Sequence, residues 1–228
     1  TSFLLFIVAL LPVVLSALIY LAERTKTVRK IPYAARQIIT GILFGGLAII
    51  GTEFGIKTDG AIINARDASP LCAGLLFGAP AGIIAGVIGG VERWLAAYWG
   101  AGEYTRLACS VSTVLAGVFA AVLRKYMFDN KKPKWYYCLA TAAITEVIHM
   151  LMIFLTNMTD AKTAFSFVRA CSLPMIAVNS LAVMLAGLLL TVLSGAERKN
   201  VRHELKKISQ SFQRFLLICV MAGFLMTT

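Results

Sequence analysis

Charged side chains are scarce in this chain of 228 residues: they make up 14% of it, compared with about 25% in a typical soluble domain. Acidic residues are the scarcer sign, with 11 Asp and Glu beside 22 Lys and Arg. Hydrophobic residues account for 59% of the chain. This composition excludes an ordinary soluble domain and predicts an integral membrane protein.

Recognisable catalytic and metal-binding motifs are also absent from the sequence. Its five cysteines lie in apolar segments, without a Cys-x-x-Cys pair or a regular spacing, at Cys72, Cys109, Cys138, Cys171 and Cys219. We therefore expect neither a disulfide framework nor a structural zinc site. No glycine-rich stretch has the context of a nucleotide loop, and no nucleophile is recognisable with a base and an orienting group. The sequence thus predicts no catalysis in this chain, no cofactor and no metal.

Seven apolar runs are long enough to cross a bilayer, which takes about 20 residues, or to form part of a crossing. They cover residues 3–21, 38–50, 71–91, 107–123, 135–155, 165–193 and 215–226. Three clusters of Lys and Arg, in residues 24–36, 124–134 and 198–214, hold 16 of the 22 basic residues. The positive-inside rule places all three clusters in the cytoplasm, beside the lipid surface. The net charge of +11 is therefore explained by membrane topology, without a nucleic-acid partner.

The number of crossings predicts a helical hairpin. An even number must join the first two basic clusters, whereas residues 71–91 taken as a single helix give three. A break at Gly78-Ala79-Pro80-Ala81-Gly82 supplies the missing crossing, since proline cannot donate a backbone hydrogen bond and glycine favours turns. We predict short helices over residues 61–77 and 83–99, inserted between membrane helices two and five. The expected fold is an all-α integral membrane protein with about eight membrane helices.

Two arginines on this hairpin, Arg66 and Arg93, lie 14 residues before and 13 residues after Pro80. At 1.5 Å per helical residue both are expected about 20 Å above the cytoplasmic turn, within reach of the outer surface of a core about 30 Å thick. An unpaired charge in hydrocarbon costs about 2.5–3.5 kcal/mol on insertion scales, so these arginines indicate a functional site. Cys109 and Ser112 on the next helix reach a comparable depth.

A small anion is the expected ligand of these groups. A guanidinium binds carboxylate or phosphate bidentately, and the amide of Asn64 adds a further donor beside Arg66 and Arg93. The alternative is structural: the two arginines would only neutralise Asp67 and Glu92, their neighbours in sequence.

Second-rank candidates are polar groups on other helices: Arg106, Glu146, His149 and Arg169. Arg106 stands one turn above Cys109, where it either extends the anion site or reaches outward. Glu146 and His149 share one helix face, where they could relay protons, or Glu146 could satisfy an arginine. The Glu-x-x-His pattern of di-iron bundles needs two copies, so no metal is predicted here. Arg169 begins the last helix from the outer side.

Three motifs carry a family resemblance: Asn64-Ala65-Arg66, the glycine-rich hairpin from Gly74-x-x-x-Gly78 to Gly89-Gly90-x-x-Arg93, and Cys109-x-x-Ser112-Thr113-x-x-x-Gly117. Together they resemble the LytS-type (LytS-YhcK) five-transmembrane receptor family over roughly residues 30–195. The resemblance implies a bacterial membrane sensor fused to a histidine kinase, a diguanylate cyclase or a phosphatase. It implies a six-helix core similar to the substrate-binding components of vitamin transporters.

The resemblance also implies a ligand and its contacts: a small carboxylate such as pyruvate, bound by Arg66, Arg93, Cys109 and Ser112. Residues 94–106 depart from the common pattern by their greater length. Trp99 and Tyr104 in this segment are expected at the outer membrane interface or in a lid.

The predicted organisation has four parts. Residues 1–30 form an N-terminal membrane helix and a cytoplasmic loop, and residues 31–195 form the sensor domain, with its core from about Tyr33 to Leu193. Residues 196–213 form a basic cytoplasmic linker, and residues 214–228 begin a further membrane helix that leads into a C-terminal region.

The predicted function is that of a sensor in the bacterial cytoplasmic (inner) membrane. It would bind a small anion from the outer side and pass a helix shift to a cytoplasmic output, as a homodimer formed through its helices or its output domain. The alternatives are the substrate-binding component of a small-molecule transporter and a structural module that anchors a cytoplasmic enzyme.

Overall fold

The computed structural model describes residues 2–58, 61–98 and 102–194. Residues Thr1–Leu190 form one compact unit. A second unit, Thr191–Thr228, is described only as far as Ser194. The predicted linker over 196–213, the predicted helix over 214–228 and Trp99 lie outside the described residues.

Helices dominate the described part of the chain. The elements are α1 Ser2–Glu23, α2 Lys26–Arg29, α3 Tyr33–Glu53, β1 Ile56–Thr58, β2 Ala61–Ile63, α4 Ala68–Cys72, α5 Ala79–Ala96, α6 Arg106–Val122, α7 Trp135–Thr156 and α8 Ala161–Ser194. π-Helical turns extend α4 over Ala73–Phe77 and α6 over Leu123–Met127, and a 3₁₀ turn, Met158–Asp160, precedes α8.

Five of these helical stretches are long and apolar enough to cross a membrane: Leu4–Glu23, Tyr33–Glu53, Arg106–Met127, Trp135–Thr156 and Met158–Ser194. A shorter apolar helix covers Ala68–Phe77. The predicted all-α membrane fold is confirmed, with one short strand hairpin added to it.

The helix break predicted around Pro80 is present. The π-helical turn ends at Phe77 and α5 begins at Ala79, with Pro80 in the first turn, where a missing backbone N–H costs little. Gln37 of α3 bridges the two sides of the break. Its Nε2 donates to the carbonyl of Phe77 at 3.2 Å, and its Oε1 accepts from the amide of Ala81 at 3.3 Å. A side chain of a neighbouring helix therefore closes the hairpin turn.

The incoming arm of the hairpin differs from the prediction. Residues Ala61–Ile63 pair with Ile56–Thr58 as antiparallel strands, and α4 starts only at Ala68. Isoleucine is β-branched and favours extended backbone, and two of the three residues of β2 are isoleucines. The predicted helix from residue 61 is therefore wrong over its first seven residues, 61–67.

This change moves Arg66 off the helix. It lies on the irregular segment between β2 and α4, so its depth does not follow from a rise of 1.5 Å per residue. Arg93 does lie on a helix, because α5 spans Ala79–Ala96 where residues 83–99 were predicted.

The hairpin packs mainly against α3 and α6, the long helices that flank it in sequence, as predicted. Glycines bring the backbones together. A Cβ added at Gly82 would lie 2.5 Å from the Cα of Gly74, and one added at Gly86 would lie 3.2 Å from the Cα of Gly117 on α6. Close approach of this kind is the usual source of packing energy between helices in a membrane. It holds the segments that carry the arginines against α6.

Candidate functional site

Arg66 is fully buried between three elements of the fold. Its Nε donates to Oγ1 of Thr113 on α6 at 2.7 Å and lies 3.4 Å from Oδ1 of Asp67. Its Nη1 donates to Oγ1 of Thr52 on α3 at 3.4 Å, and its Nη2 donates to the carbonyl of Cys109 at 3.5 Å. The charge of Arg66 is thus matched by its neighbour Asp67, as the structural alternative expected.

Asp67 begins a chain of polar contacts through the buried interior. Its Oδ1 accepts from the hydroxyl of Thr113 at 2.6 Å, and its Oδ2 lies 2.9 Å from Nδ1 of His149. On the other side of the imidazole, Nε2 of His149 lies 3.4 Å from Sγ of Cys109. A thiol, an imidazole and a carboxylate in this order are a nucleophile, a base and an orienting group. Sequence spacing did not bring these three residues together, because they come from three separate elements.

Glu146 lies one turn before His149 on α7 and is fully buried. Its Oε2 lies 3.6 Å from Nδ1 of His149, and within the described ranges neither of its oxygens makes a hydrogen bond. Ligand atoms of Asp67, Glu146 and His149 all lie within 4.8 Å of one another. A cation bound there would share Asp67 with the guanidinium of Arg66, whose positive charge opposes it. The arrangement does not favour a metal.

Arg93 lies near the C-terminal end of α5 and is 2% exposed. Its Nη2 donates to the carbonyl of Gly102 at 2.7 Å and to Oγ1 of Thr105 at 3.4 Å. Among the residues that the structure describes, its Nη1 has no hydrogen-bond partner and it forms no ion pair, not even with Glu92. Unlike Arg66, it is buried without a carboxylate in contact.

Ser112 follows Cys109 by one turn of α6 and is 3% exposed. In the part of the chain described, its Oγ has no hydrogen-bond partner. With His149 it lines a cavity of about 220 Å³ between α6 and α7, whose other walls are mostly apolar. A second cavity, of about 310 Å³, is lined by Ser110 and Trp94 among others. Ser112 and His149 therefore connect the first cavity to the cluster, whereas neither of them lines the second.

The amide of Asn64 is committed to local backbone bonds. Its Nδ2 donates to the carbonyl of Ile62, and its Oδ1 accepts from the amide of Arg66 at 3.3 Å. Asn179 on α8 also hydrogen-bonds to this segment. Its Oδ1 accepts from the amide of Ala68 at 2.9 Å and its Nδ2 donates to the carbonyl of Asn64 at 3.1 Å. Asn64 therefore fixes the backbone that leads into α4, and Asn179 stabilises the same segment.

Arg106 lies outside the hydrogen-bonded cluster. Its guanidinium carbon stacks on two rings, 4.0 Å from the centre of Trp94 and 4.3 Å from that of Tyr98. Arg169 is exposed on α8, away from the buried groups. Of the predicted site residues, the structure brings together Arg66, Arg93, Cys109, Ser112, Glu146 and His149.

The site residues predicted from the sequence did not include Asp67, Thr113 and Asn179. Each was visible as a polar residue in or beside an apolar run, which is the signal that could have found them. Asp67 was weighed only as a counter-charge, although its second oxygen is the one that reaches His149.

Comparison with known proteins extends this picture. The family model described as 5TMR of 5TMR-LYT matches residues 19–192. The chain is similar to the sensor histidine kinase YpdA of Escherichia coli, with 25% identity over 164 residues, which are 72% of this chain and 28% of that protein. It is similar to the sensor histidine kinase BtsS of Escherichia coli, with 27% identity over 147 residues, which are 63% of this chain and 25% of that protein.

The sensor protein LytS of Bacillus cereus is 31% identical over 147 residues, which are 62% of this chain and 23% of that protein. The chain therefore spans about a quarter of the length of the curated relatives it matches. No solved structure matches it.

Proposed function

The chain belongs to the family described as 5TMR of 5TMR-LYT, and from that premise we propose that it senses a small anion, which it binds from the outer side of the membrane. It is a multi-pass protein of the bacterial cytoplasmic (inner) membrane. The ligand would be a carboxylate, such as pyruvate, held by Arg93 with Arg66, Cys109 and Ser112 around it.

The main support for this proposal is the difference in counter-charge between the two arginines. Arg66 has Asp67 as counter-charge, whereas Arg93 has no ion pair within the described residues. A buried guanidinium without a counter-charge is costly in a membrane, and a ligand carboxylate would remove that cost. Within the described ranges Nη1 of Arg93 and Oγ of Ser112 have no hydrogen-bond partner, and such a ligand would accept from both donors.

The position of Arg93 favours access from outside. α5 leaves the cytoplasmic turn at Ala79 and carries Arg93 near its other end, where Gly102 and Thr105 of the following loop contact it. A ligand that bound there would bridge this loop and the outer half of α6. If the ligand binds one arrangement of these helices more tightly than the other, ligand binding shifts the population toward that arrangement.

The output is proposed from the relatives. YpdA and BtsS are named sensor histidine kinases, so we infer a histidine kinase as the cytoplasmic output of the whole protein, with a diguanylate cyclase as the alternative. A homodimer formed through the helices or the output domain would carry the helix shift across the membrane.

A thermal-shift assay on the purified chain in detergent tests the ligand. Small carboxylates and phosphates are screened against wild type, Arg93→Gln and Arg169→Gln, the last as a matched control on an exposed arginine. A ligand at a hundred times its dissociation constant stabilises by about 2.7 kcal/mol. We expect the response to disappear in Arg93→Gln and to remain in Arg169→Gln. An equal response in all three proteins, or no response to any anion in folded wild type, would contradict the proposal.

A further inference from the structure

The cavity of about 310 Å³ lies between α5 and α6, and none of the residues proposed to hold the anion lines it. Apart from Ser110, its walls are apolar side chains and the backbone of Gly90. Three of the lining residues, Val91, Trp94 and Leu115, are exposed on the surface of the bundle. The cavity is therefore a groove that faces the lipid.

The groups along this groove change from charged to polar to apolar. Arg106, Ser110 and Val114 are four residues apart on α6 and so share one face of that helix. On the facing helix, the ring centre of Trp94 is 4.0 Å from the guanidinium carbon of Arg106. Gly90 lies beside Val114, since a Cβ added there would be 2.5 Å from Cγ2 of Val114. The groove thus runs from a guanidinium, past a hydroxyl, to an apolar floor.

Hydrogen-bond donors in this groove lack partners. Nε and Nη2 of Arg106 are buried and make no hydrogen bond among the described residues, where the guanidinium also forms no ion pair. Oγ of Ser110, a residue that is 6% exposed, has no partner in the same ranges. Buried donors are almost always paired, so these groups indicate acceptor atoms that a ligand would bring. Their shared helix face suits a single ligand that contacts both.

We propose that the groove binds a glycerophospholipid of net negative charge, with its phosphate on Arg106, its ester oxygens on Ser110 and an acyl chain in the apolar part. The order of phosphate, ester and acyl chain in such a lipid matches the order of groups along the groove. A guanidinium binds phosphate through parallel N–H donors. The rings of Trp94 and Tyr98, which flank this guanidinium, are typical of the level of the lipid headgroups.

The charge of the groove favours an anionic headgroup over a zwitterionic one. Phosphatidylethanolamine would bring its ammonium near the guanidinium of Arg106, where like charges repel, whereas phosphatidylglycerol brings only negative charge. The positive-inside rule predicts that this end of the bundle, where α5 ends and α6 begins, lies in the outer leaflet. The groove shares no residue with the proposed anion site, so a lipid bound here does not depend on anion sensing.

Native mass spectrometry of the delipidated chain in detergent tests the headgroup preference, with dioleoyl phosphatidylglycerol and dioleoyl phosphatidylethanolamine added at equal concentration. We expect wild type to retain phosphatidylglycerol about five-fold better, the effect of one basic side chain near an anionic lipid. The preference should disappear in Arg106→Leu. It should remain in Arg169→Leu, the matched change on an exposed arginine of α8, and in Arg93→Gln, which alters only the proposed anion site.

A second pair of variants tests the acyl-chain part of the groove. Val91→Phe puts a ring into the groove from an exposed position and leaves Arg106 in place. Val147→Phe is the matched change on an exposed valine of α7 that does not line the groove. We expect retained phosphatidylglycerol to fall clearly in Val91→Phe and not in Val147→Phe, with thermal unfolding showing that both are folded. Glycerol phosphate, which has no acyl chain, should not displace the lipid.

The outcomes separate the lipid groove from the proposed function. Equal retention of the two lipids by wild type, or a preference that survives Arg106→Leu, would overturn the lipid site. Full retention by Val91→Phe, or displacement by glycerol phosphate at equal concentration, would overturn it as well, because no acyl chain would then lie in the groove. Loss of the preference in Arg93→Gln would place the lipid at the anion site instead. If no small anion stabilises folded wild type but phosphatidylglycerol is still preferred, anion sensing falls and the lipid site stands.

Discussion

Arg66 and Asp67 are neighbours in sequence and partners in space: Nε of Arg66 lies 3.4 Å from Oδ1 of Asp67, and both side chains are buried. The same carboxylate holds His149 with its other oxygen. Asp67 therefore both neutralises the charge of Arg66 and orients the imidazole of His149. Removing its charge should disturb both.

Asp67→Asn is expected to destabilise the protein strongly. It leaves the guanidinium of Arg66 buried without a counter-charge, a change that typically costs about 3–5 kcal/mol. Glu146→Gln is the matched control in the same cluster, because neither oxygen of Glu146 makes a hydrogen bond within the described residues. Its unfolding free energy should fall by less than that of Asp67→Asn, since only the 3.6 Å contact with His149 is weakened and no hydrogen bond is lost. Denaturant unfolding in detergent measures both, and equal losses would show that Asp67 has no special role.

The sequence predicted the hairpin turn but not the strand pair, because the two depend on different kinds of sequence signal. Pro80 and its flanking glycines located the hairpin turn, because the backbone requirement is local. The strand pair could not be found in the same way. Ile62 and Ile63 lie beside an apolar run, and their partners in β1 were not visible as a strand. Periodicity alone does not separate a three-residue strand from the start of a helix.

The candidate site was predictable in part for a related reason. Arg66, Arg93, His149 and Cys109 were recognisable one by one, because charge and polarity are unusual inside a membrane. Their pairing was not, since Asp67, Cys109 and His149 come from three separate elements. Which arginine would be neutralised likewise depended on side-chain directions that sequence spacing does not supply.

Gly82→Ala tests the close packing of the hairpin. A Cβ at this position would lie 2.5 Å from the Cα of Gly74, so the backbones must separate, at a cost of about 1–3 kcal/mol. Gly46→Ala on α3 is the matched control, because a Cβ there meets nothing within 4 Å. That change should be neutral or stabilise by about 0.5–1 kcal/mol, since alanine is the better helix former. Thermal unfolding in detergent should show a loss of stability for Gly82→Ala but not for Gly46→Ala, and a loss in both would contradict the packing argument.

Gln37 and Gly78 should be coupled at the hairpin turn. A Cβ at Gly78 would overlap the side-chain amide of Gln37, which closes the turn through Phe77 and Ala81. Gly78→Ala is expected to cost about 1–3 kcal/mol in wild type and clearly less in a Gln37→Ala background, where the overlapping atoms are gone. A double-mutant cycle on unfolding free energies measures the coupling. Additive effects would mean that Gln37 does not set the geometry of the break.

Arg106 at the start of α6 and Trp94 near the end of α5 should make a measurable cation–π interaction. The guanidinium carbon lies 4.0 Å from the ring centre of Trp94, a geometry in which cation–π attraction is worth about 0.5–2 kcal/mol. A double-mutant cycle with Arg106→Leu and Trp94→Leu should recover a coupling in this range. Arg106→Lys, which keeps the charge, should retain part of it. This contact joins the helices that carry Arg93 and Cys109, so its loss should also weaken anion binding in the thermal-shift assay. No coupling energy and unchanged anion binding would show that the contact contributes nothing.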